Sequence, residues 1–258
     1  MKQAYKSLII FSFSLLISVS LWGQDDAREI FTRATGQMLT ENMEIVLEMD
    51  ITDKKGRTKE KGYEILMASL GDVEKTKMSF QKPVQAKGTT VIITKRPGET
   101  GLIEVYTPAN GKTRKLKATA DNMDMVGSEA QITNMTARDP DELAFMFLPP
   151  QEVDGKSCYT VVVKDNDFKD QARGELAVEM DTYRIVQISV FDMYGKQTSL
   201  VKLSDFQAVQ GAGKKIQPRR IITEDLKNQK ITDMRVLKVA SRTDLTEDDF
   251  KLPVGPDM

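Results

Sequence analysis

The sequence predicts a mainly β protein built on a single antiparallel sheet of about ten or eleven strands, accompanied by two helices. Three observations carry that expectation. Apolar and polar residues alternate over most of the chain, as in 43–51, where Met43, Ile45, Leu47, Met49 and Ile51 are apolar while Glu44, Glu48 and Asp50 face away. Turn chemistry punctuates the runs at Asp53-Lys54-Lys55-Gly56, Arg96-Pro97-Gly98, Asn110-Gly111, Asp154-Gly155 and Tyr194-Gly195. Helix-period patterning occurs in two places only, and no linker, low-complexity block or internal repeat divides the rest.

The elements follow in order. Lys2 and Lys6 precede an apolar or Ser run over 8–19, with small or neutral residues to Gly23, the layout of a secretory signal peptide cleaved near Gly23 or Gln24. That run is about a dozen residues, short of the roughly 20 that a spanning helix needs, and Asp25 and Asp26 follow at once. The expected organisation is a signal peptide over 1–23 and one soluble domain over 24–258, with no cysteine near the cleavage point to be acylated. Asp26-Ala27-Arg28-Glu29 reads as a capped helix start, and Ala27, Ile30, Phe31, Ala34 and Met38 recur at helical spacing. Strand-like runs cover 43–51, 63–70, 75–80, 89–95, 102–107, 157–164, 174–180, 184–191, 198–206, 216–224 and 232–240, with a basic return strand carrying Lys112, Arg114, Lys115 and Lys117. The second helix is expected over Leu143-Ala144-Phe145-Met146-Phe147-Leu148: Asp139-Pro140-Asp141-Glu142 supplies a cap, a first-turn proline and acid, and Pro149-Pro150 ends it. So greasy and short a helix must be enclosed or lie over an apolar surface, as a lid would.

Composition removes several chemistries. There are 37 basic and 38 acidic residues, and loss of Lys2 and Lys6 deepens the acidic excess, so the chain is not built to coat nucleic acid. It has no histidine, hence no ordinary general base and no imidazole ligand. No Gly-x-Ser-x-Gly elbow, P-loop or dinucleotide glycine pattern is present. Asp165-Asn166-Asp167-Phe168-Lys169-Asp170 begins like a calcium loop, but Lys169 stands at a ligand position and Leu176 where the closing Glu belongs, so it reads as a hairpin tip. Cys158 is the only cysteine and reads as a small buried hydrophobe. No enzyme activity, metal or cofactor is expected.

A series of short motifs runs through the chain: Met78-Ser79-Phe80-Gln81-Lys82-Pro83, Lys87-Gly88-Thr89, Val105-Tyr106-Thr107-Pro108, Arg114-Lys115-Leu116, Met125-Val126-Gly127-Ser128, then Asp192-Met193-Tyr194-Gly195-Lys196 and Pro218. In this order and spacing they resemble the outer-membrane lipoprotein-sorting proteins with a LolA-like domain. The resemblance spans nearly all of the domain and departs after Ser128, where Glu129, Ala130, Ile132 and Asn134 stand. It implies a single sheet curved into an unclosed barrel around an apolar cavity, with an N-terminal helix and a short lid helix. It implies a periplasmic carrier that holds acyl chains of a lipid or lipoprotein between an inner-membrane transporter and an outer-membrane acceptor, touching membranes transiently.

The expected cavity residues are Phe31, Ile45, Leu47, Met49, Ile103, Val105, Phe145 and Phe147. Methionine is abundant, with 14 residues, and its flexible thioether conforms to guests of variable shape, although methionines and aromatics also build ordinary cores. Lys112, Arg114, Lys115 and Lys117 either protect a sheet edge with charge or meet lipid phosphates or an acidic partner. Two other classes stay open: a non-catalytic structural or docking subunit of an envelope complex, its interior filled by its own side chains, and a lipid-modifying enzyme working with carboxylates alone.

Overall fold

The computed structural model describes residues 24–39, 41–119, 140–165 and 172–253. The proposed signal peptide, the motif 125–128 and most of the calcium-like stretch lie outside them. Helix α1 (Gln24–Gly36) precedes six consecutive strands, β1 (Met43–Thr52), β2 (Thr58–Leu70), β3 (Val73–Lys82), β4 (Thr90–Lys95), β5 (Leu102–Thr107) and β6 (Lys112–Lys117). Seven more follow: β7 (Leu143–Val153), β8 (Lys156–Asp165), β9 (Arg173–Glu179), β10 (Ile185–Phe191), β11 (Gln197–Ala208), β12 (Ile216–Asp225) and β13 (Lys230–Ser241).

Local chemistry makes the hairpins. Asp53-Lys54-Lys55-Gly56-Arg57 and Asp192-Met193-Tyr194-Gly195-Lys196 are the same turn twice: the Asp Oδ1 accepts the N–H groups two and four residues on, at 2.8 and 3.1 Å in the first and 2.9 Å each in the second. Gly56 and Gly195 take φ of 75° and 76°, a region that costs glycine nothing and other residues about 1 kcal/mol or more.

All thirteen strands form one antiparallel sheet in the order β6-β5-β4-β3-β2-β1-β13-β12-β11-β10-β9-β8-β7. The first and last strands pair with each other, Met43 opposite Ser241 and Thr52 opposite Ile231, so two meanders run outward from one central seam. The sheet does not close; β6 and β7, consecutive in sequence, are the outermost of its described strands. Laid flat at about 4.8 Å per strand it would be on the order of 60 Å wide. A 13-residue helix covers little of such a face, yet one apolar cluster on one side takes in residues from β1 to β5 and β7 to β13 at 8% exposure or less. The sheet therefore wraps around that side. Register shifts at Val46/Leu47, Gly62/Tyr63, Leu148/Gln151, Ile185/Gln187 and Val190/Phe191 supply bends.

Two expectations need correction. The sheet has thirteen strands, more than expected. The second helix is a strand: Asp139-Pro140-Asp141-Glu142 yields only a 3-10 turn over Pro140–Glu142, and the apolar run forms β7. A continuous apolar run has neither helix nor strand period, so its flanks were the only guide. The prolines misled because β7 is an edge strand, where a missing N–H costs no ladder bond, and Pro149 and Pro150 sit at the shift between Leu148 and Gln151. The calcium-like stretch is described only at Asp165, the last residue of β8.

On the outer face, a 3-10 turn over Glu247–Phe250 folds the C-terminal segment against β2, with Leu245 and Phe250 buried beside Ala68, Leu66 and Leu70. Charged pairs tie strands together there, one of them across the seam. Arg235 Nη1 meets Asp50 at 3.0 Å, Arg220 Nη2 meets Asp233 at 2.9 Å, and Lys82 Nζ reaches Glu48 at 2.8 Å across Gly62, whose missing side chain leaves Lys82 the path.

Candidate functional site: the inner face and its helix

The inner face is apolar because every strand presents alternate residues to it. In β1 these are Ile45, Leu47 and Met49; in β5, Ile103 and Val105; in β7, Phe145 and Phe147. All eight expected cavity residues, Phe31 included, fall in this one cluster: Phe31, Leu47, Met49, Ile103 and Phe145 are buried, while Ile45, Val105 and Phe147 are partly buried against them. The sequence reading omitted the rest of the same wall, among them Tyr63, Met78, Ile93, Val161 and Leu176. The alternation that picked out β1 marks these too.

α1 lies on β7 and β8. Ala27, Phe31 and Ala34, spaced four and three residues apart, make its buried stripe, and the two small residues bring the helix backbone close to the sheet. Phe31 stacks on Phe145, ring centroids 5.0 Å apart and tilted by 46°. Phe147, Tyr159 and Tyr183 extend the aromatic contact at 6.1 and 6.3 Å. The polar side of the helix is tied down as well. Gln37 Nε2 donates to the carbonyls of Thr182 and Tyr183 at 3.0 and 3.1 Å, and Gln37 O accepts from Ile216 N–H at 2.9 Å. Arg33 lies over the Tyr183 ring at 3.5 Å, and Arg28 pairs with Asp141 just ahead of β7.

Inside this frame the space is closed: Phe31, Met49, Ile103 and Leu176 are at most 1% exposed. A depression of about 380 Å³ lies elsewhere, over Arg28, Glu29, Thr32 and Arg33 on the outward side of α1. Among the described elements, α1 is the one that covers the inner face along β7 and β8.

The four basic residues of β6 do not form one patch. Leu116 packs with Ile103 on the inner cluster, and Arg114 stands opposite Val105, so Lys112 and Arg114 project on the inner side of the rim. Lys115 and Lys117 project outward, Lys115 pairing with Glu104 at 2.8 Å. Strand alternation splits any consecutive charge run in this way.

One perturbed group lies against the inner cluster: burial, with Tyr183 beside it, pushes the Tyr159 phenol up. Burial pushes the Glu179 carboxyl up, but the Lys156 ammonium at 2.6 Å and the Thr182 hydroxyl outweigh it and hold the group below the usual carboxylate range. Burial, with Glu179 nearby, pushes the Cys158 thiol up. Among the described residues no cluster of three or more Cys, Asp or Glu is arranged to hold a metal.

A family model described only as uncharacterized-protein-like matches residues 72–253. No curated protein matches the sequence. Among solved structures, a domain described as an outer membrane lipoprotein-sorting protein from Vibrio parahaemolyticus superposes with a TM-score of 0.71 at 15% identity, covering 89% of this chain and 97% of that one. A DUF1329 family protein from Desulfovibrio piger gives 0.72 at 15% identity over 88% and 97%, and a LolA superfamily protein from Nitrosomonas europaea 0.61 at 17% over 87% and 97%. The chain thus belongs to the uncharacterized-protein-like family whose model spans residues 72–253, and it has the LolA-like fold.

Proposed function

We propose that the protein is a periplasmic carrier, exported by a signal peptide over 1–23 and folded over 24–258, that takes acyl chains of a lipid or lipoprotein onto its inner face. The observation that carries this is a single apolar face spanning the sheet from β1 to both halves, covered by helix α1, which rests chiefly on β7 and β8. Fold likeness to a lipoprotein-sorting domain supports the choice of cargo class.

Magnitudes favour a shuttle over a trap. Removing a chain of about 16 carbons from water is worth up to roughly 12 kcal/mol at about 0.8 per methylene. A bilayer offers the same burial, so the carrier needs only near parity with it. Exposing Phe31 and its contacts costs a few kcal/mol, of the order of burying one large apolar side chain, which an entering chain offsets. Ile45, Leu47, Met49, Ile103, Val105 and Phe147 then form the wall, Phe31 and Phe145 the latch, and Lys112 and Arg114 receive a headgroup phosphate at the inner rim. No step requires bond chemistry, so no catalytic residue is assigned; an inner-membrane transporter as donor and an outer-membrane acceptor complete the route.

The near-complete burial of the inner face favours one second reading, a docking subunit whose interior is filled permanently by its own side chains. Native mass spectrometry of gently purified, exported protein separates the two. The carrier retains a mass matching lipid and takes up a fluorescent fatty acid; a bare mass together with no uptake rejects it.

A further inference from the structure

The connections of the sheet fall into two sets, one at each end of the strands. Thr52 opposite Ile231 puts the β1–β2 turn beside the β12–β13 turn, and Ser199 opposite Asp225 puts the β10–β11 turn next in line. Gly62 opposite Lys82 and Thr90 opposite Tyr106 bring the β3–β4 and β5–β6 connections to the same end. At this end stand the two most exposed large apolar side chains described, Val84 at 82% and Tyr194 at 81%, with Met193 at 53%, Ile231 at 49% and Leu226 at 44% beside them, while Leu237 at 57% and Met146 at 53% lie within β13 and β7. The described connections at the opposite end, 71–72, 96–101, 154–155, 180–184 and 209–215, expose no large apolar side chain.

Folding does not ask for apolar residues at these tips. Met193 and Tyr194 occupy the middle of a turn whose shape comes from Asp192 and Gly195, positions where polar residues serve equally well. Charge sorts the same way. Ahead of β7 at this end stand Asp141, paired with Arg28, and Glu142, while Lys54, Lys55, Arg57, Lys87, Lys196 and Lys227 sit in the tip connections against Asp53 and Asp192. Asp53 and Asp192 are spent on turn N–H groups, Asp53 also on Arg57 at 2.7 Å. The opposite end is balanced, with Arg96, Arg184, Lys214 and Lys215 against Asp72, Glu99, Asp154 and Asp181.

We propose that this end is a membrane-docking surface, on which Val84, Met193, Tyr194 and Leu226 enter the interfacial region of a bilayer while the surrounding Lys and Arg meet anionic headgroups. Apolar tips ringed by cations suit that partner because each part alone binds weakly and the two add. A neutral bilayer lacks the second attraction. The N-terminal half of α1 lies toward this end, since Arg28 pairs with Asp141 ahead of β7 while Gln37 is tied to the opposite end at Thr182. The docked face therefore adjoins the part of the helix nearest the start of β7. This rests on the carrier reading for its purpose, and the surface itself is tested without cargo.

The test is co-sedimentation of the exported protein with phosphatidylcholine vesicles and with vesicles holding about 30% phosphatidylglycerol, at low and high salt. Binding to the anionic vesicles is expected to be at least tenfold tighter than to neutral ones and to weaken with salt. Met193→Ser combined with Tyr194→Ser is expected to lower it at least tenfold, whereas Leu237→Ser, which removes an equally exposed apolar side chain from the middle of β13, changes nothing. Equal binding to both vesicle types, no binding to either, or equal loss in the Leu237 control overturns the proposal. A circular dichroism melt of the double variant, expected to match the parent, excludes misfolding, and uptake of a fluorescent fatty acid is scored separately. Vesicle binding without uptake rejects the carrier and keeps the docking surface; uptake without vesicle binding does the reverse.

Discussion

Replacing Phe31 by Ala tests whether α1 is a latch. Phe31 is 1% exposed, lies between Ala27 and Ala34 on the buried stripe, and meets the Phe145 ring at 5.0 Å. Truncating a buried Phe costs about 3–5 kcal/mol, and a helix at the margin of the core can settle into part of the void, so the lower end applies. In a domain of this size each kcal/mol moves the melting temperature by roughly 2–4 °C, giving a fall of about 6–12 °C. The ring pair itself accounts for about 1 kcal/mol, which a double-mutant cycle with Phe145→Ala isolates as a departure from additivity. If α1 must lift to admit a guest, weakening the closed state by about 3 kcal/mol raises the open population by up to about a hundredfold. The assay is stopped-flow entry of a fluorescent fatty acid beside a thermal melt. A variant that melts much earlier yet admits the probe at the parent rate refutes the latch, and strict additivity with Phe145→Ala refutes the ring contact as its core.

Three further outcomes follow from single contacts. Glu179 is held below the usual carboxylate range in the folded state, so it stabilises the fold above the unfolded carboxylate value of about 4.3, and that contribution fades as pH falls through the depressed folded value. Glu179→Gln should flatten the acid limb of melting temperature against pH; an unaltered limb assigns acid sensitivity to other carboxylates. A Cβ at Gly62 would stand 3.2 Å from Lys82 Cγ, so Gly62→Ala should push Lys82 off Glu48 at a cost below about 1 kcal/mol, the pair being solvent-exposed. A larger loss, read from urea unfolding, would mean that the backbone of β2 has shifted. Cys158 is fully buried and its thiol is raised, so an aromatic disulfide reagent should label it no faster than the protein unfolds; rapid labelling of the native protein contradicts its placement.

Much of the architecture was legible in the sequence, and the gaps have physical causes. β5 occupies the expected residues, and the basic return strand is β6 (Lys112–Lys117), because strict alternation between turn residues leaves one solution. Nothing in β1 or β13 names the other as its partner; a pairing of Met43 with Ser241 is set by the closure of the whole sheet, beyond the reach of any local pattern. Phe145 and Phe147 belong to the inner wall although the element was misread. Residues two apart share a face in a strand and not in a helix, so the strand is the better explanation of why both line it. The same rule undid the basic cluster, sending Lys112 and Arg114 inward and Lys115 and Lys117 outward.

The central seam explains why the helix, and not the sheet, is the part able to yield. α1 enters β1 and the C-terminal segment leaves β13, and because those strands pair, both ends of the domain are anchored at one place: Arg242 Nη1 holds Glu44 at 2.9 Å while its N–H donates to Asn42 O. From there they diverge to opposite faces. The C-terminal segment braces the outer side of β2 and β3 through Phe250, Leu245, the Lys75–Glu247 pair and the Lys77 bond to Asp249 O at 2.8 Å. α1 crosses to the inner side and rests on β7 and β8, touching the far half of the sheet from that of the brace. Bending β1 to β3 would break ladder bonds, ion pairs and a small core together. Lifting α1 breaks one apolar stripe and a few polar ties, leaving every ladder bond between strands intact. Of the two motions, lifting α1 therefore breaks the fewer contacts, and it uncovers the inner face along β7, where Phe145 and Phe147 stand.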